Sequence, residues 1–175
     1  MYLKSKVVVR SFRPEDAESL AKQANNRKIW LNLRDLFPYP YRLEDARRFI
    51  ARTASQVPEE NFAIEVEKKA VGAIALIQGK DVERCSAEIG FWLGEEYWGR
   101  GIATSAVESV RDWAVETRSL IRLFAFVFGH NTASRRVLEK AGFELEGRLR
   151  CSAVKDGRIT DQLLLAYLSP RMGKI

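Results

Sequence analysis

Apolar residues along the chain follow two periodicities, which predict that strands and helices alternate. Apolar positions on one helical face follow Pro14 and recur in "LEDARRFIARTA" (43–54), after Gly101, and in "NTASRRVLEKAGF" (131–143). Short runs with strand-like composition separate these segments. The predicted strands are "KVVVRSF" (6–12), "NFAIEV" (61–66), "AVGAIALIQ" (70–78), "CSAEIGFWL" (85–93), "IRLFAFVF" (121–128), and roughly 144–154 and 160–168 around the turn "KDGR".

The order of these segments predicts an α/β fold. About seven strands and about four helices follow one another as β-α-α-β-β-β-α-β-α-β-β, which is typical of a mixed central sheet with helices packed on it. No repeat, low-complexity tract or Gly/Ser-rich linker divides the sequence. We therefore expect a single domain over residues 1–175, with its core from about residue 7 to 168.

The composition excludes several classes of protein. Hydrophobic residues make up 46% and charged residues 30% of the 175 positions, as in an ordinary soluble globular protein. No apolar run approaches the ~20 residues of a membrane span, and "MYLKSKVVVRSF" lacks the pattern of a secretory signal. Cys85 and Cys151 lie far apart and His130 is the single histidine, so we expect neither a disulfide framework nor a metal site. These features predict a cytoplasmic protein without a membrane partner.

The net charge of +6 favours anionic ligands such as phosphates or RNA. The basic residues are scattered, however, and the longest basic runs are pairs such as Arg47-Arg48 and Arg135-Arg136. Dense basic clusters and the aromatic signatures of ribonucleoprotein modules are both missing from the sequence. We therefore expect no nucleic-acid partner beyond proximity to ribosomes.

The stretch "EEYWGRGIATSA" (95–106) places two glycines where a helix is predicted to begin. Glycines at 99 and 101 allow positive φ angles and let phosphate oxygens approach the backbone, while Arg100 can add a charge-assisted hydrogen bond. A simple turn explains the same two glycines. The stretch lacks the phosphate-loop string Gly-x-x-x-x-Gly-Lys-Ser/Thr, and Thr104 stands where a Rossmann motif requires its third glycine.

This stretch resembles the acetyl-CoA-binding motif of the GNAT superfamily of N-acyltransferases, Arg/Gln-x-x-Gly-x-Gly/Ala, with Trp98 in place of the first Arg/Gln. With tryptophan at this position, the stretch resembles the branch typified by ribosomal-protein N-terminal acetyltransferases, in which strings like "YWGRGIAT" are common. Three further stretches resemble the same branch, so that the likeness runs from about residue 7 to 168: "FPYPYRLEDARRFI" (37–50), "AEIGFWLGEEYWGRG" (87–101) and "NTASRRVLEKAGFELEGRLR" (131–150). The resemblance implies the GNAT fold, in which the fourth strand splays from the fifth.

The resemblance also implies which residues bind acetyl-CoA. The backbone of Phe91, Trp92 and Leu93 would pair with the pantetheine amides. The N–H groups from Gly99 to Thr104 would hold the pyrophosphate: Gly99, Arg100, Gly101, Ile102, Ala103 and Thr104. Trp98 belongs to the same motif, and we expect its ring to pack so that it shapes the loop.

Three polar residues are candidates for the chemistry. Asn131 is a predicted helix N-cap, and by resemblance it borders the cofactor arm near the thioester. Ser134 either lines the core or acts as a proton donor or hydrogen-bond partner for the departing CoA thiolate, as the serine at this place is proposed to do in the ribosomal-protein branch. Glu88 lies in an apolar strand and is either a general base or a salt-bridged glutamate. Some relatives use a glutamate about ten residues after a "Leu-Glu-Gly" string, but "RLRCSAVKDG" contains none, so the resemblance does not identify the base.

The acceptor is expected to bind along "WLNLRDLFPYPY" (30–41), whose aromatic residues Trp30, Tyr39 and Tyr41 either line the substrate or pack in the core. Asp161 is either an acidic contact for a cationic substrate or a surface charge. We expect an acetyl-CoA-dependent N-acetyltransferase that acts on a protein N-terminus, with a small-molecule amine (polyamine, amino acid or antibiotic) as the alternative. A non-catalytic CoA-binding module is the rival from another class. Relatives in the family are often dimers, and the two closing strands could pair across a two-fold axis.

Overall fold

The computed structural model describes residues 7–170. Its strands are β1 (Val8–Arg10), β2 (Asn61–Val66), β3 (Lys69–Gln78), β4 (Ser86–Leu93), β5 (Arg122–Phe128), β6 (Glu144–Lys155) and β7 (Arg158–Leu168). Its α-helices are α1 (Ala17–Ala24), α2 (Arg27–Trp30), α3 (Leu43–Thr53), α4 (Ile102–Thr117) and α5 (Thr132–Lys140). The strands form one mixed sheet in the order β1-β2-β3-β4-β5-β7-β6, which confirms the predicted fold class.

The described residues contain five α-helices, one more than the sequence pattern indicates. The additional helix, α2, is a single turn that begins after Asn26, whose side chain accepts a hydrogen bond of 2.8 Å from the Lys28 N–H. Such a short helix has no room for a repeating apolar face, so hydrophobic periodicity does not reveal it. No helix within residues 7–170 is long and apolar enough to cross a membrane.

Contacts divide the chain into two compact units. The first unit extends to Ala75 and includes Phe91–Ala106, and the second contains Leu76–Gly90 and the chain from Val107 onward.

The first unit is organised around α1 and α3. Their small and branched residues pack as a cluster that also includes Tyr41: Ala17, Leu20, Ala24, Tyr41, Ala46 and Ile50. In the same unit β2 pairs antiparallel with both β1 and β3. Alanines at the helix contact keep α1 and α3 close and leave space for the aromatic rings beside them.

A partly buried ion pair joins β1 to the start of α1. Two nitrogens of the Arg10 guanidinium donate to the two carboxylate oxygens of Asp16, at 2.7 and 2.8 Å. The third donates to Glu65 on β2 at 2.5 Å, and Asp16 also accepts from the Arg13 N–H at 2.8 Å. Asp16 is only 5% exposed, so this bidentate pairing compensates a carboxylate that has lost its water. Pro14 opens the turn that carries it, as its position in the sequence indicates.

The second unit contains the β5, β7 and β6 strands, which pair antiparallel in that order. Leu123, Ala125 and Val127 alternate as the buried residues of β5. The β6–β7 connection is a two-residue turn, in which Asp156 and Gly157 both have positive φ, at 52° and 72°. This geometry is that of a tight hairpin, and it confirms the turn expected at "KDGR".

One residue of α4, Trp113, is exposed although its helical spacing predicts that it is buried. Trp113 falls on the apolar row of the predicted helix, yet its side chain is 37% exposed. The Arg118 guanidinium lies over its ring at 4.6 Å from the centroid. An indole face attracts a cation strongly, and this contact covers the ring without burying it in the core.

The parallel pairing of β4 with β5 is short. Ser86, Ala87 and Glu88 are in register with Arg122, Leu123 and Phe124. Both strands extend beyond these three pairs, β4 to Leu93 and β5 to Phe128. This agrees with the fork expected between the fourth and fifth strands of a GNAT fold.

Candidate functional site

The glycine motif forms a loop whose backbone is bare. Gly99 has φ +71° and Gly101 has φ +75°, a region that residues with a side chain rarely adopt. A Cβ built on either glycine meets no heavy atom within 4 Å. The glycines are therefore required by the backbone conformation, and no protein atom occupies the space beside them. A pyrophosphate fits this arrangement, because it needs backbone N–H groups that it can approach closely.

Helix α4 starts directly after this loop. Its first helical hydrogen bond runs from the Ser105 N–H to the Gly101 carbonyl, at 3.0 Å. The N–H groups of Ile102, Ala103 and Thr104 precede that bond and have no helical carbonyl one turn back. The Ile102 side chain is 1% exposed and anchors the turn. The 16-residue helix thus directs three donors and the positive end of its dipole toward the loop.

The turn that precedes the loop is held by residues that the sequence analysis did not identify. Glu95, in a 3-10 turn over Glu95–Tyr97, accepts from the Asn26 side chain at 2.7 Å and pairs with Lys28. The hydrogen bond from Lys28, followed by the one from Asn26, lowers the pKa of Glu95. Gln23 donates to Glu96, and its amide also packs on Gly94, where a Cβ would lie 2.1 Å from the Gln23 Oε1. The two adjacent glutamates are visible in the sequence, but nothing there identifies their partners, which lie about 70 residues earlier in the chain.

Two motif residues adopt defined positions within this unit. Trp98 is 43% exposed, and its indole Nε1–H donates to the Leu93 carbonyl at 2.7 Å. Arg100 is exposed, and its guanidinium lies 5.5 Å from the centroid of the Tyr97 ring. Its charge therefore remains at the surface of the loop, where an anion can reach it.

The end of β4 is packed closely against β3. A Cβ on Gly72 would lie 2.3 Å from the Trp92 carbonyl oxygen, so only glycine permits this approach. The Gly94 N–H donates to the Val71 carbonyl at 2.8 Å. Leu93 is buried, whereas Phe91 and Trp92 are half-buried. The backbone of this segment is therefore held firmly on its β3 side.

The aromatic residues expected at the acceptor site belong to the same unit, but their environments differ. Trp30 and Tyr39 lie together, with ring centroids 5.8 Å apart, and Tyr39 is 44% exposed. Tyr41 is 6% exposed and packs against Phe37 at 4.8 Å. Burial, reinforced by the charge of Asp45, raises the pKa of Tyr41 to about 12. Tyr41 is thus a core residue in this structure, and Trp30 with Tyr39 forms the accessible aromatic pair.

Glu88 lies in the second unit. It is half-buried, and its backbone forms the last registered pair of β4 with β5, opposite Phe124. Ala87 and Ile89 on either side are each 1% exposed, so Glu88 projects from the opposite face of the strand, as the alternation predicts. A carboxylate therefore stands where the two strands cease to pair.

Asn131 and Ser134 form a reciprocal pair at the start of α5. The Asn131 Oδ1 accepts from the Ser134 N–H at 3.1 Å, which is the predicted N-cap contact. That bond directs the Asn131 Nδ2 toward the Ser134 Oγ, to which it donates at 2.9 Å. Because the hydroxyl oxygen already accepts a hydrogen bond from Asn131, the Ser134 O–H is available to donate to another acceptor. His130 stacks on Phe128, with ring centroids 5.8 Å apart.

The Asp161 carboxylate has local partners. It pairs with the Arg148 guanidinium, whose Nε lies at 2.6 Å, and accepts from the Cys151 N–H at 2.7 Å. The Cys151 N–H and then Arg148 lower the pKa of Asp161. Cys151 has φ 52° and lies where the register of β6 shifts between Leu149 and Ala153. Asp161 thus secures an irregular part of β6, and its charge is compensated there.

The expected site residues are distributed over both units. The glycine loop, the end of β4 and the accessible aromatic pair belong to the first unit. Glu88, Asn131, Ser134 and Asp161 belong to the second.

Comparisons with known proteins assign this arrangement to a family. Residues 6–144 match the family described as "Acetyltransferase (GNAT) domain". "Probable N-acetyltransferase YjcK" of Bacillus subtilis (strain 168) is 32% identical over 96% of this chain and 97% of that protein. "Spermidine N(1)-acetyltransferase" of Escherichia coli (strain K12) is 26% identical over 82% of this chain and 75% of that protein. Among solved structures, "Mycobacterium smegmatis RimJ in complex with CoA-disulfide" has a TM-score of 0.83 at 25% identity, covering 96% of this chain and 84% of that one.

Proposed function

The chain belongs to the GNAT family of acetyltransferases, and on this basis we propose that it acetylates the N-terminal α-amino group of a protein, in the manner of the ribosomal-protein branch. It is an acyl-CoA-dependent N-acetyltransferase, and acetyl-CoA is its cosubstrate. The protein acceptor is the specific part of the proposal. The resemblance of four sequence blocks to that branch and the likeness to RimJ support it.

The bare glycine loop is the observation that carries the assignment of the cofactor. Gly99 and Gly101 have positive φ, and nothing in the protein fills the space where their side chains would stand. The N–H groups of Ile102, Ala103 and Thr104 would hold the pyrophosphate, and Arg100 would add its charge. The backbone of Phe91 to Leu93 would hold the pantetheine arm. Acetyl-CoA supplies an acetyl group activated as a thioester, which a neutral amine attacks directly.

Ser134 serves in this proposal as the donor to the departing thiolate. The amide of Asn131 donates to the Ser134 Oγ, so the serine proton points away from Asn131. Asn131 therefore orients the hydroxyl and also caps the helix that carries it. A hydroxyl oriented in this way donates a hydrogen bond to the sulfur anion without a prior search for the right rotamer. Any proton that it passes to the sulfur is replaced by one from solvent, and the proton released by the amine balances the reaction.

Glu88 serves as the group that receives a proton from the amine. An amine at neutral pH is largely protonated and must lose that proton before it attacks. Glu88 is half-buried between two apolar neighbours, at the residue where the registered pairing of β4 with β5 ends. Neither cysteine is required, since a direct attack forms no acetyl-enzyme.

The charges of the chain favour a protein N-terminus over a polyamine. A polyamine carries several positive charges, and its recognition requires carboxylates that are not already compensated. Asp161, which the sequence leaves open as a contact for a cationic substrate or a surface charge, already pairs with Arg148 and the Cys151 N–H. The net charge of +6 also repels a polycation. A small-molecule amine remains the second candidate, because the spermidine acetyltransferase of Escherichia coli is among the relatives.

Calorimetric titration with acetyl-CoA, with desulfo-CoA and ATP as controls, tests the cofactor. A second assay measures release of CoA thiol with a set of peptides bearing free N-termini, the same peptides N-terminally blocked, and spermidine. We expect turnover with at least one free peptide and none with its blocked form. Turnover with spermidine but with no peptide would replace the protein acceptor with a small amine, and failure to bind acetyl-CoA would refute the cofactor site.

A further inference from the structure

Trp98 makes a contact that its expected packing role does not explain. The residue is 43% exposed, so its ring is only partly covered by the protein. Its indole N–H nevertheless donates to the Leu93 carbonyl, at 2.7 Å and five residues earlier in the chain. A neutral hydrogen bond of this length is well formed. The specific contact that Trp98 makes is therefore the hydrogen bond from its indole N–H.

This hydrogen bond closes the turn between two segments that the proposed function assigns to the cofactor. Leu93 ends β4, where the pantetheine arm is proposed to bind, and Gly99 begins the pyrophosphate loop. Between them, the Tyr97 N–H donates to the Gly94 carbonyl and the Trp98 N–H to the Glu95 carbonyl, at 3.0 and 3.1 Å. The hydrogen bond from the indole therefore adds a side-chain contact to the two backbone hydrogen bonds that hold this turn.

The contacts around the turn are strongly asymmetric. On its N-terminal side, Glu95 and Glu96 are tied to Asn26, Lys28 and Gln23. On its C-terminal side, side chains built on the two loop glycines would touch nothing within 4 Å. Trp98 is the residue at the boundary between the anchored turn and the bare loop.

We propose that Trp98 is a positioning residue for acetyl-CoA, which acts by donating its indole N–H to the Leu93 carbonyl. The inference rests on the proposed binding of the pyrophosphate by the Gly99–Thr104 loop. The family motif has arginine or glutamine where this chain has Trp98. Arginine, glutamine and tryptophan differ in charge and shape, but all three are long side chains that carry an N–H donor. Each of the three could therefore donate to a carbonyl at the end of β4.

Two variants of Trp98 distinguish the effect of the N–H donor from the effect of the aromatic ring, and a third variant is a control. Trp98→Phe keeps an aromatic ring and removes the N–H, whereas Trp98→Gln removes the ring and keeps an N–H. Trp113→Phe is the matched control, because Trp113 is exposed to a similar extent at 37% and lies on α4. The measurements are the Kd for acetyl-CoA by calorimetry, KM and kcat with a fixed amine, and the Tm of each variant.

We expect Trp98→Phe to raise the Kd and KM for acetyl-CoA about 2- to 12-fold, the loss that corresponds to one neutral hydrogen bond, with little change in kcat. Trp98→Gln should recover most of the affinity, and Trp113→Phe should bind as the wild type does. Unchanged binding by Trp98→Phe would overturn the proposal, and so would weak binding by both Trp98 variants, which would assign the effect to the ring. If the wild-type protein itself bound no acetyl-CoA, the proposed function would fail and this inference with it.

Discussion

Replacing Gly101 with alanine adds one methyl group to the proposed phosphate loop. The residue has φ +75°, and a built Cβ meets no heavy atom within 4 Å. The substitution therefore creates no steric clash within the protein. Its effects on stability and on ligand binding have separate causes and can be predicted separately.

The stability effect arises only from backbone strain. An L-residue in the left-handed region costs roughly 1–2 kcal/mol, so the free energy of unfolding should fall by about that amount. The binding effect arises because the methyl group occupies the space through which an anion reaches the backbone. Loss of one hydrogen bond to a charged group costs about 1.5–3 kcal/mol, which corresponds to a Kd for acetyl-CoA about 10- to 150-fold higher.

Gly157→Ala is a matched control for this experiment. Gly157 has φ +72° and equally open surroundings, but it lies in the β6–β7 turn. Urea unfolding should show the same loss of stability in both variants, and calorimetry should show weaker acetyl-CoA binding in Gly101→Ala alone. Equal binding by Gly101→Ala and the wild type would refute the phosphate loop. Weakened binding by Gly157→Ala would show that strain alone reduces affinity.

Three further predictions concern the remaining polar residues. Burial alone would raise the pKa of Asp16, but the hydrogen bonds from Arg10 and the Arg13 N–H outweigh it and lower the pKa below 3.8. This contribution to stability is present above pH 3.8 and lost as the pH falls through the lowered value, so Asp16→Asn should cost about 3 kcal/mol in urea unfolding at pH 7 and progressively less as the pH falls below 3.8. A pH-independent cost would contradict the ion-pair explanation. Glu88→Gln should lower kcat about 100-fold without changing the Kd for acetyl-CoA, and an unchanged pH–rate profile would exclude Glu88 as the base. Ser134→Ala should also lower kcat at constant Kd, while a full rate would remove the serine from the mechanism.

Much of the fold follows from local patterns in the sequence. The bounds of β2 match the predicted strand because the apolar run "NFAIEV" is flanked by polar residues. The hairpin turn follows from Asp-Gly, whose residues tolerate positive φ. The glycine loop was also predictable, since its conformation depends on residues within the motif itself.

The features that sequence analysis missed depend on partners distant in the chain. Nothing near Glu95 indicates that Asn26 and Lys28 hold it. For Asp161 the sequence leaves a substrate contact and a surface charge open, because its pairing with Arg148 depends on the hairpin that brings β6 and β7 together. Tyr41 is one of several aromatic residues in "FPYPY", and only the packing of α1 and α3 determines that it is buried. Local periodicity carries no information about such contacts.

The irregular pairing of β6 has a consequence for behaviour at high concentration. Its register with β7 covers Glu144–Leu145, Gly147–Leu149 and Ala153–Lys155, with shifts between these segments. The outer edge of a terminal strand is a template on which strands of other molecules can add and propagate into fibres. A strand that added to β6 would meet a break after at most three consecutive paired residues. The shifts therefore act as a built-in barrier to edge-to-edge polymerisation of this sheet.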